Sequence, residues 1–107
     1  MLSEANKGRL PFERVIELCS ANPARIFGLA PSKGAVVPGA DADIVLYDPK
    51  KEVTLTQEIM HSSIDYTIWE GVKLKGYPVR TYSRGSLVFI DGMFTGERGH
   101  GRFIKRR

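Results

Sequence analysis

Residues able to do chemistry are few in this sequence. Its two histidines, His61 and His100, stand 39 positions apart. Neither falls in an HxH, HExxH or Cys/His pattern with metal-ligand spacing. The one cysteine, Cys19, shares a helical apolar stripe with Phe12, Val15 and Ile16, so it reads as a core side chain rather than a nucleophile. Asp41 and Asp43 alternate with alanines just before an apolar strand. Paired carboxylates can bind a metal or share a proton, but at the mouth of a strand a turn-and-edge role is the plainer reading. Gly99-His100-Gly101 is flanked by glycines yet opens no helix after a strand, so a phosphate cradle is weakly supported. A catalytic constellation needs nucleophile, base or metal set within mutual reach. The sequence therefore predicts no catalytic, cofactor-binding or metal-ligating residue in these 107 positions.

The elements around these residues begin with helix. Phe12, Val15, Ile16 and Cys19 fall at i, i+3, i+4 and i+7, which makes one face apolar. Pro11 suits a first turn, where its missing N–H costs nothing. A second short helix is expected over Asn22 to Phe27, with Asn22 as N-cap, Pro23 at N1 and Gly28 as the C′ glycine.

From Lys33 the character changes. Gly34, Pro38 and Gly39 punctuate the chain, and Ile44 to Tyr47 form an apolar run stopped by Asp48-Pro49. Val53 and Leu55 alternate with polar neighbours and read as strand. His61 to Lys75 is mixed, with a helical turn around Trp69, a packing anchor, closed by Gly71. Val79 to Ser83 and Ser86 to Ile90 flank a two-residue turn at Arg84-Gly85. Asp91-Gly92 signals a second tight turn, with Met93 to Thr95 returning as a short strand. The order is two helices, then a small antiparallel β unit: an α+β fold.

The net charge of +4 is placed unevenly. Residues 1–96 hold eleven Lys/Arg and eleven Asp/Glu, so the whole excess lies in the tail, with Arg98, Arg102, Lys105, Arg106 and Arg107 against Glu97. A basic tail can hold nucleic acid, but only one aromatic accompanies it and the body offers no basic face to extend it, so nucleic acid is not an expected partner. No apolar run reaches the roughly 18 residues of a membrane span, and residues 1–10 lack the apolar stretch of a signal peptide. A single cysteine excludes an internal disulfide and fits a reducing compartment; the cytoplasm is the expected location.

Several stretches together resemble a known family. Ser20-Ala-Asn-Pro-Ala-Arg-Ile-Phe-Gly-Leu29 is similar to the segment that closes the barrel of metal-dependent amidohydrolases. Lys33-Gly34, followed by Val37-Pro-Gly-Ala-Asp-Ala-Asp-Ile-Val45, resembles their re-entry into a small β domain. Asp65-Tyr66, Trp69-Glu-Gly71, Gly76-Tyr-Pro-Val79, Arg84-Gly85 and the ending Gly99-His-Gly-Arg-Phe-Ile-Lys-Arg106 narrow the resemblance to dihydropyrimidinases and D-hydantoinases. Allantoinases and dihydroorotases match this ending less well.

The resemblance implies a parent enzyme with a (β/α)₈ barrel and a flanking composite β-sandwich. That enzyme opens a cyclic amide at a two-zinc centre held by histidines, an aspartate and a carboxylated lysine. In the family these ligands lie upstream of the stretch matched here, so none is carried onto a residue of this chain. The family also places an apolar helix before Lys7-Gly8-Arg9-Leu10, of which Met1 and Leu2 stand here. The expected division is residues 1–30 as a helical remnant of the barrel end, 31–96 as part of the β-sandwich and 97–107 as a basic tail. Asn22, Pro23, Gly28, Gly39, Asp43, Trp69 and Gly92 are expected to be structural. Phe12, Ile16, Arg102, Phe103 and Ile104 are candidate interface residues. The expected partners are a second copy of the chain or the rest of such an enzyme. Two other readings stay open: a free-standing interaction module, and a non-catalytic dihydropyrimidinase-like scaffold.

Overall fold

The computed structural model describes residues 1–106; Arg107, counted above in the basic tail, lies outside them. The architecture is α+β, with helices first and then one four-stranded antiparallel sheet in the order β1-β2-β3-β4.

Helix α1 (Leu2–Asn6) ends where Gly8 takes φ 75. Pro11 does not enter the next helix, α2 (Phe12–Ile16). It sits just before it in an extended conformation, its carbonyl accepting the N–H groups of Arg14 and Val15. The break expected after Cys19 is absent. The helix widens into a π turn over Glu17–Ala21 and runs on into α3 (Asn22–Ile26). Asn22 is therefore helical, with φ -66 and ψ -47, and caps nothing. Pro23 is the physical reason. Without an N–H it cannot serve the Cys19 carbonyl four residues back. The wider turn instead sets the Asn22 N–H on the Glu17 carbonyl, five back, so the helix absorbs the proline rather than restarting. The far end is as expected. Gly28 has φ 67, its N–H meets the Arg25 carbonyl, and the Leu29 N–H meets Ala24 at 2.7 Å. These two bonds form a Schellman motif.

A turn at Val37-Pro38-Gly39-Ala40 leads into the sheet, with Gly39 at φ 92 and the Ala40 N–H on the Val37 carbonyl. Strand β1 (Ile44–Thr54) is not stopped by Asp48-Pro49. It bulges there: Asp48 pairs with Tyr77 and Glu52 with Lys75, so residues 49–51 arch opposite Gly76 alone. A proline is tolerated in such a bulge because no ladder bond needs its N–H, and Asp48 Oδ1 accepts the Lys50 N–H instead. Strand β2 (Lys73–Ser83) starts six residues before the expected Val79. Lysine, glycine and proline hid this half of it, since none favours a strand by itself; pairing with β1 decides the matter.

Both tight turns are present. Arg84 and Gly85 (φ 46 and 81) join β2 to β3 (Ser86–Ile90), and Asp91 and Gly92 (φ 47 and 89) join β3 to β4 (Met93–Phe94). Two successive positive φ values match the right-handed twist of the flanking strands.

Little of this is covered. Val15, Ala24 and Leu55 are the buried apolar residues among those described. The chain exposes 8203 Å², whereas a compact protein of its mass exposes about 6,000 Å². Its radius of gyration is 15.1 Å against about 13 Å for a compact domain of this length.

Candidate functional site

The densest polar cluster lies where the helices meet the sheet. Gly34, at φ 92, lets the connector run tight against α3: a Cβ there would stand 2.5 Å from Ala24 Cβ and 3.2 Å from the Ser20 carbonyl. That approach places Lys33 beside the two carboxylates. Its Nζ is 2.9 Å from Asp41 Oδ2 and also pairs with Asp43 Oδ2. Asp43 Oδ1 accepts the backbone N–H of Arg84 at 2.8 Å, and Gly85 donates to the Ala42 carbonyl at 3.0 Å. The Arg84 guanidinium in turn donates to the His100 carbonyl, while His100 Nε2 stands 3.1 Å from the Ser83 carbonyl. One chain of contacts thus links the exit of α3, the start of β1, the β2–β3 turn and the C-terminal tail.

The electrostatics are those of a latch. Partial burial works to raise the Asp43 pKa, but the Lys33 and Arg84 donors outweigh it and hold the carboxyl below its ordinary value. The bond to Asp43 lifts Lys33 above its ordinary value against a smaller desolvation. The Lys33 ammonium pairs with both Asp41 and Asp43. The two histidines are committed elsewhere, His100 to Ser83 and His61 Nε2 to the Gly92 carbonyl at 3.0 Å. Among the described residues no three His, Cys, Asp or Glu side chains gather as metal ligands. The side chains here do not fit a two-zinc centre.

Beside the latch, an apolar cleft of 620 Å³ opens between the helices and the first two strands, lined by Met1, Ile16, Cys19, Val36, Val45 and Leu74 among others. Gly76, which lines the cleft, stands against Tyr47. The ring packs on Phe12 with centroids 5.4 Å apart, and its hydroxyl lies over Gly76, where a Cβ would fall 1.7 Å away.

Cys19 and Trp69 are not where the sequence placed them. Cys19 is exposed, its Sγ 3.6 Å from Met1 Sδ; only Val15 of its stripe is buried, at 2%. Trp69 is 54% exposed and anchors no core. Both were read from local pattern, which names the apolar face but not whether anything covers it. Of the candidate interface residues, Ile16, Arg102 and Phe103 are exposed, Phe12 is half-exposed against Tyr47, and Ile104 is partly covered. The roles of Lys33, Arg84, Tyr47 and Gly76 were not legible, because their contacts join residues 8 to 45 positions apart.

Comparison with known proteins matches residues 1–88 to the amidohydrolase family. The chain belongs to the amidohydrolase family. Its curated relatives include the D-phenylhydantoinases of Escherichia coli, among them that of strain K12, 48% identical over 100 residues. That match spans 94% of this chain and 22% of the relative, so the chain covers about a fifth of the length of the curated relatives it matches. A solved D-hydantoinase superposes with a TM-score of 0.93 at 41% identity, over 97% of this chain and 23% of that one. The dihydropyrimidinase from Brevibacillus agri NCHU1002 gives 0.91 at 36% over 96% and 22%. The L-hydantoinase from Arthrobacter aurescens gives 0.90 at 35% over 95% and 23%. Proteins named D-hydantoinase and L-hydantoinase thus both superpose on this chain, at TM-scores of 0.93 and 0.90.

No helix among the described residues is long and apolar enough to cross a membrane.

Proposed function

We propose that these residues form the C-terminal, strand-bearing part of a dihydropyrimidinase- or hydantoinase-type hydrolase that opens cyclic amides. In that reading the sheet completes a composite β-sandwich, the helical run edges a barrel, and the zinc ligands and substrate loops come from elsewhere in the enzyme. The chain by itself is structural and inactive.

One observation carries the reading. A sequence 48% identical to a D-phenylhydantoinase folds with three buried apolar residues among those described and 8203 Å² of surface. A family segment that leaves Phe27, Ile68, Trp69 and Phe94 each more than half exposed is built to be covered, because leaving a large side chain in water forfeits roughly 1.5–3 kcal/mol. The partners are the rest of such an enzyme or, for the isolated chain, a second copy.

The test is a chimera in which this chain replaces the matched residues of the Escherichia coli D-phenylhydantoinase. The chimera is expected to bind zinc and hydrolyse phenylhydantoin, and the free chain to do neither. Stoichiometric zinc or turnover in the free chain overturns the reading. A folded but inactive chimera favours a non-catalytic, dihydropyrimidinase-like interaction module.

A further inference from the structure

Asp91-Gly92 is the one place in the chain where an aspartate or asparagine stands directly before a glycine. The pair makes the β3–β4 turn. The Asp91 side chain is 64% exposed, and its ion pair with Lys51 Nζ is long, at 3.8 Å. Among the described residues the Gly92 N–H meets no carbonyl. Nothing lies within 4 Å of the place a Cβ on Gly92 would take. An open carboxyl and an unshielded amide nitrogen therefore stand side by side at the surface. The arm beyond them is lightly held. Strand β4 is two residues long, and its Met93 and Phe94 are 64% and 68% exposed. Short exposed ladders open locally at little cost, and opening frees the Asp91 backbone that the turn otherwise fixes.

We propose that Asp91-Gly92 is a self-modification site, at which the turn rearranges to an isoaspartyl linkage. The Gly92 nitrogen attacks Asp91 Cγ and forms a C–N bond. The nitrogen gives up its proton, and the carboxyl hydroxyl leaves as water. The product is a cyclic imide with no change of oxidation state. Water then opens the ring. Attack at Cγ restores aspartate. Attack at the Asp91 backbone carbonyl carbon breaks the original peptide bond, leaves Gly92 joined to Cγ and frees an α-carboxylate. The water lost in the first step is regained in the second, so the mass is unchanged.

The new linkage lengthens the backbone by one methylene. A two-residue turn sets the hairpin through its paired positive φ values, here 47 and 89, and has no place for another atom. Two bonds flank the altered linkage. The Asp91 N–H meets the Val79 carbonyl at 3.0 Å, and the Gly92 carbonyl meets His61 Nε2 at 3.0 Å. Isomerisation therefore loosens β4 and releases the hairpin from His61, the residue that follows a 3₁₀ turn (Gln57–Met60).

The experiment ages the chain for several weeks at physiological temperature and neutral pH, in buffer and in urea. Trypsin then releases Gly85–Arg98, in which Asp91 is the only aspartate or asparagine. A protein isoaspartyl methyltransferase transfers a methyl group from S-adenosylmethionine to the freed α-carboxylate, which marks the peptide by mass. The marked peptide is expected to accumulate in buffer at a rate within a few-fold of that in urea, while the peptides carrying Asp48 and Asp65 stay unmarked. Gly92→Ala shields the nitrogen and should abolish the mark, but it also strains the turn. Asp91→Asn avoids that difficulty, because asparagine accepts the same φ. It should react faster, losing ammonia in place of water, and show a gain in mass once the ring opens. Marking in urea with the folded chain at least an order of magnitude slower overturns the proposal, since the turn then protects the bond. No marking in either sample, or an Asp91→Asn chain that keeps its amide over the same period, also overturns it.

Discussion

The Asp43 carboxylate accepts the backbone N–H of Arg84 at 2.8 Å, tying the residue before β1 to the left-handed turn between β2 and β3. Because Lys33 holds the other carboxylate oxygen, one side chain sets both the entry angle of the helical part and the register of the hairpin. Asp43→Ala leaves the Arg84 N–H and the Lys33 ammonium without this partner. The site is partly open to water, so the expected loss is about 1 kcal/mol rather than the larger figure for a buried charged bond. Urea unfolding of the two proteins side by side measures it.

The same bond predicts a pH dependence. The folded-state pKa of Asp43 is lowered, so its contribution is present above the unfolded value near about 4 and fades as pH falls through the folded value. Lys33 is raised. Its contribution is complete below the unfolded value near about 10.4 and is lost as pH climbs through the folded one. Stability should be flat between these limits and fall at either end. Asp43→Asn should flatten the acid limb; an acid limb identical in the variant would assign the effect to other carboxylates.

Gly76 gives a steric test. Alanine there meets the Tyr47 hydroxyl at 1.7 Å and its Cζ at 2.6 Å, at a φ of 91 that side chains rarely adopt. Gly76→Ala should cost about 1–3 kcal/mol. Repeated in a Tyr47→Ala background, the cost should shrink to the backbone part alone. A double-mutant cycle reads the difference as a coupling energy, and zero coupling would show that the contact is absent.

Gly92 isolates the backbone term. It has φ 89 and open space around its Cβ position, so Gly92→Val should cost roughly 1–2 kcal/mol from conformation alone. Gly96 is the contrast. A Cβ there meets the Phe94 ring at 2.4 Å, but its φ is ordinary and the ring is free to swing into water. Gly96→Val should therefore lower the unfolding midpoint less. Equal midpoints for Gly92→Val and the parent would rule out the strained turn.

The isolated chain should self-associate. Among the described residues strand β1 lies at the edge of the sheet with no strand on its outer side, and free N–H and C=O groups on an edge recruit another strand. Ile16 and the cleft beside it add apolar surface to cover, and Phe103 and Ile104 in the tail offer more. Light scattering over a dilution series should give a mass above 11.9 kDa at high micromolar concentration. A folded species of strictly monomeric mass would exclude the idea.

Much of the chain was legible because its instructions are local. Gly28, Gly39, Arg84-Gly85 and Asp91-Gly92 sit at turns whose positive φ values only a few residue types accept, so composition alone places them. The α+β order and the family resemblance follow from the same local signals and from motifs that survive in single segments. Tertiary structure decided the rest, where local preference was weak or wrong. Asn22 has the chemistry of an N-cap, yet the helix passes through it because a π turn accommodates Pro23. Lys73 to Pro78 has little strand preference, yet pairing with β1 makes it strand. Lys33, Asp43 and Arg84 meet only after the helix, the connector and the hairpin have folded together. Cys19 and Trp69 are apolar in pattern and open to water in fact, since burial belongs to whatever packs against a residue and not to the residue itself.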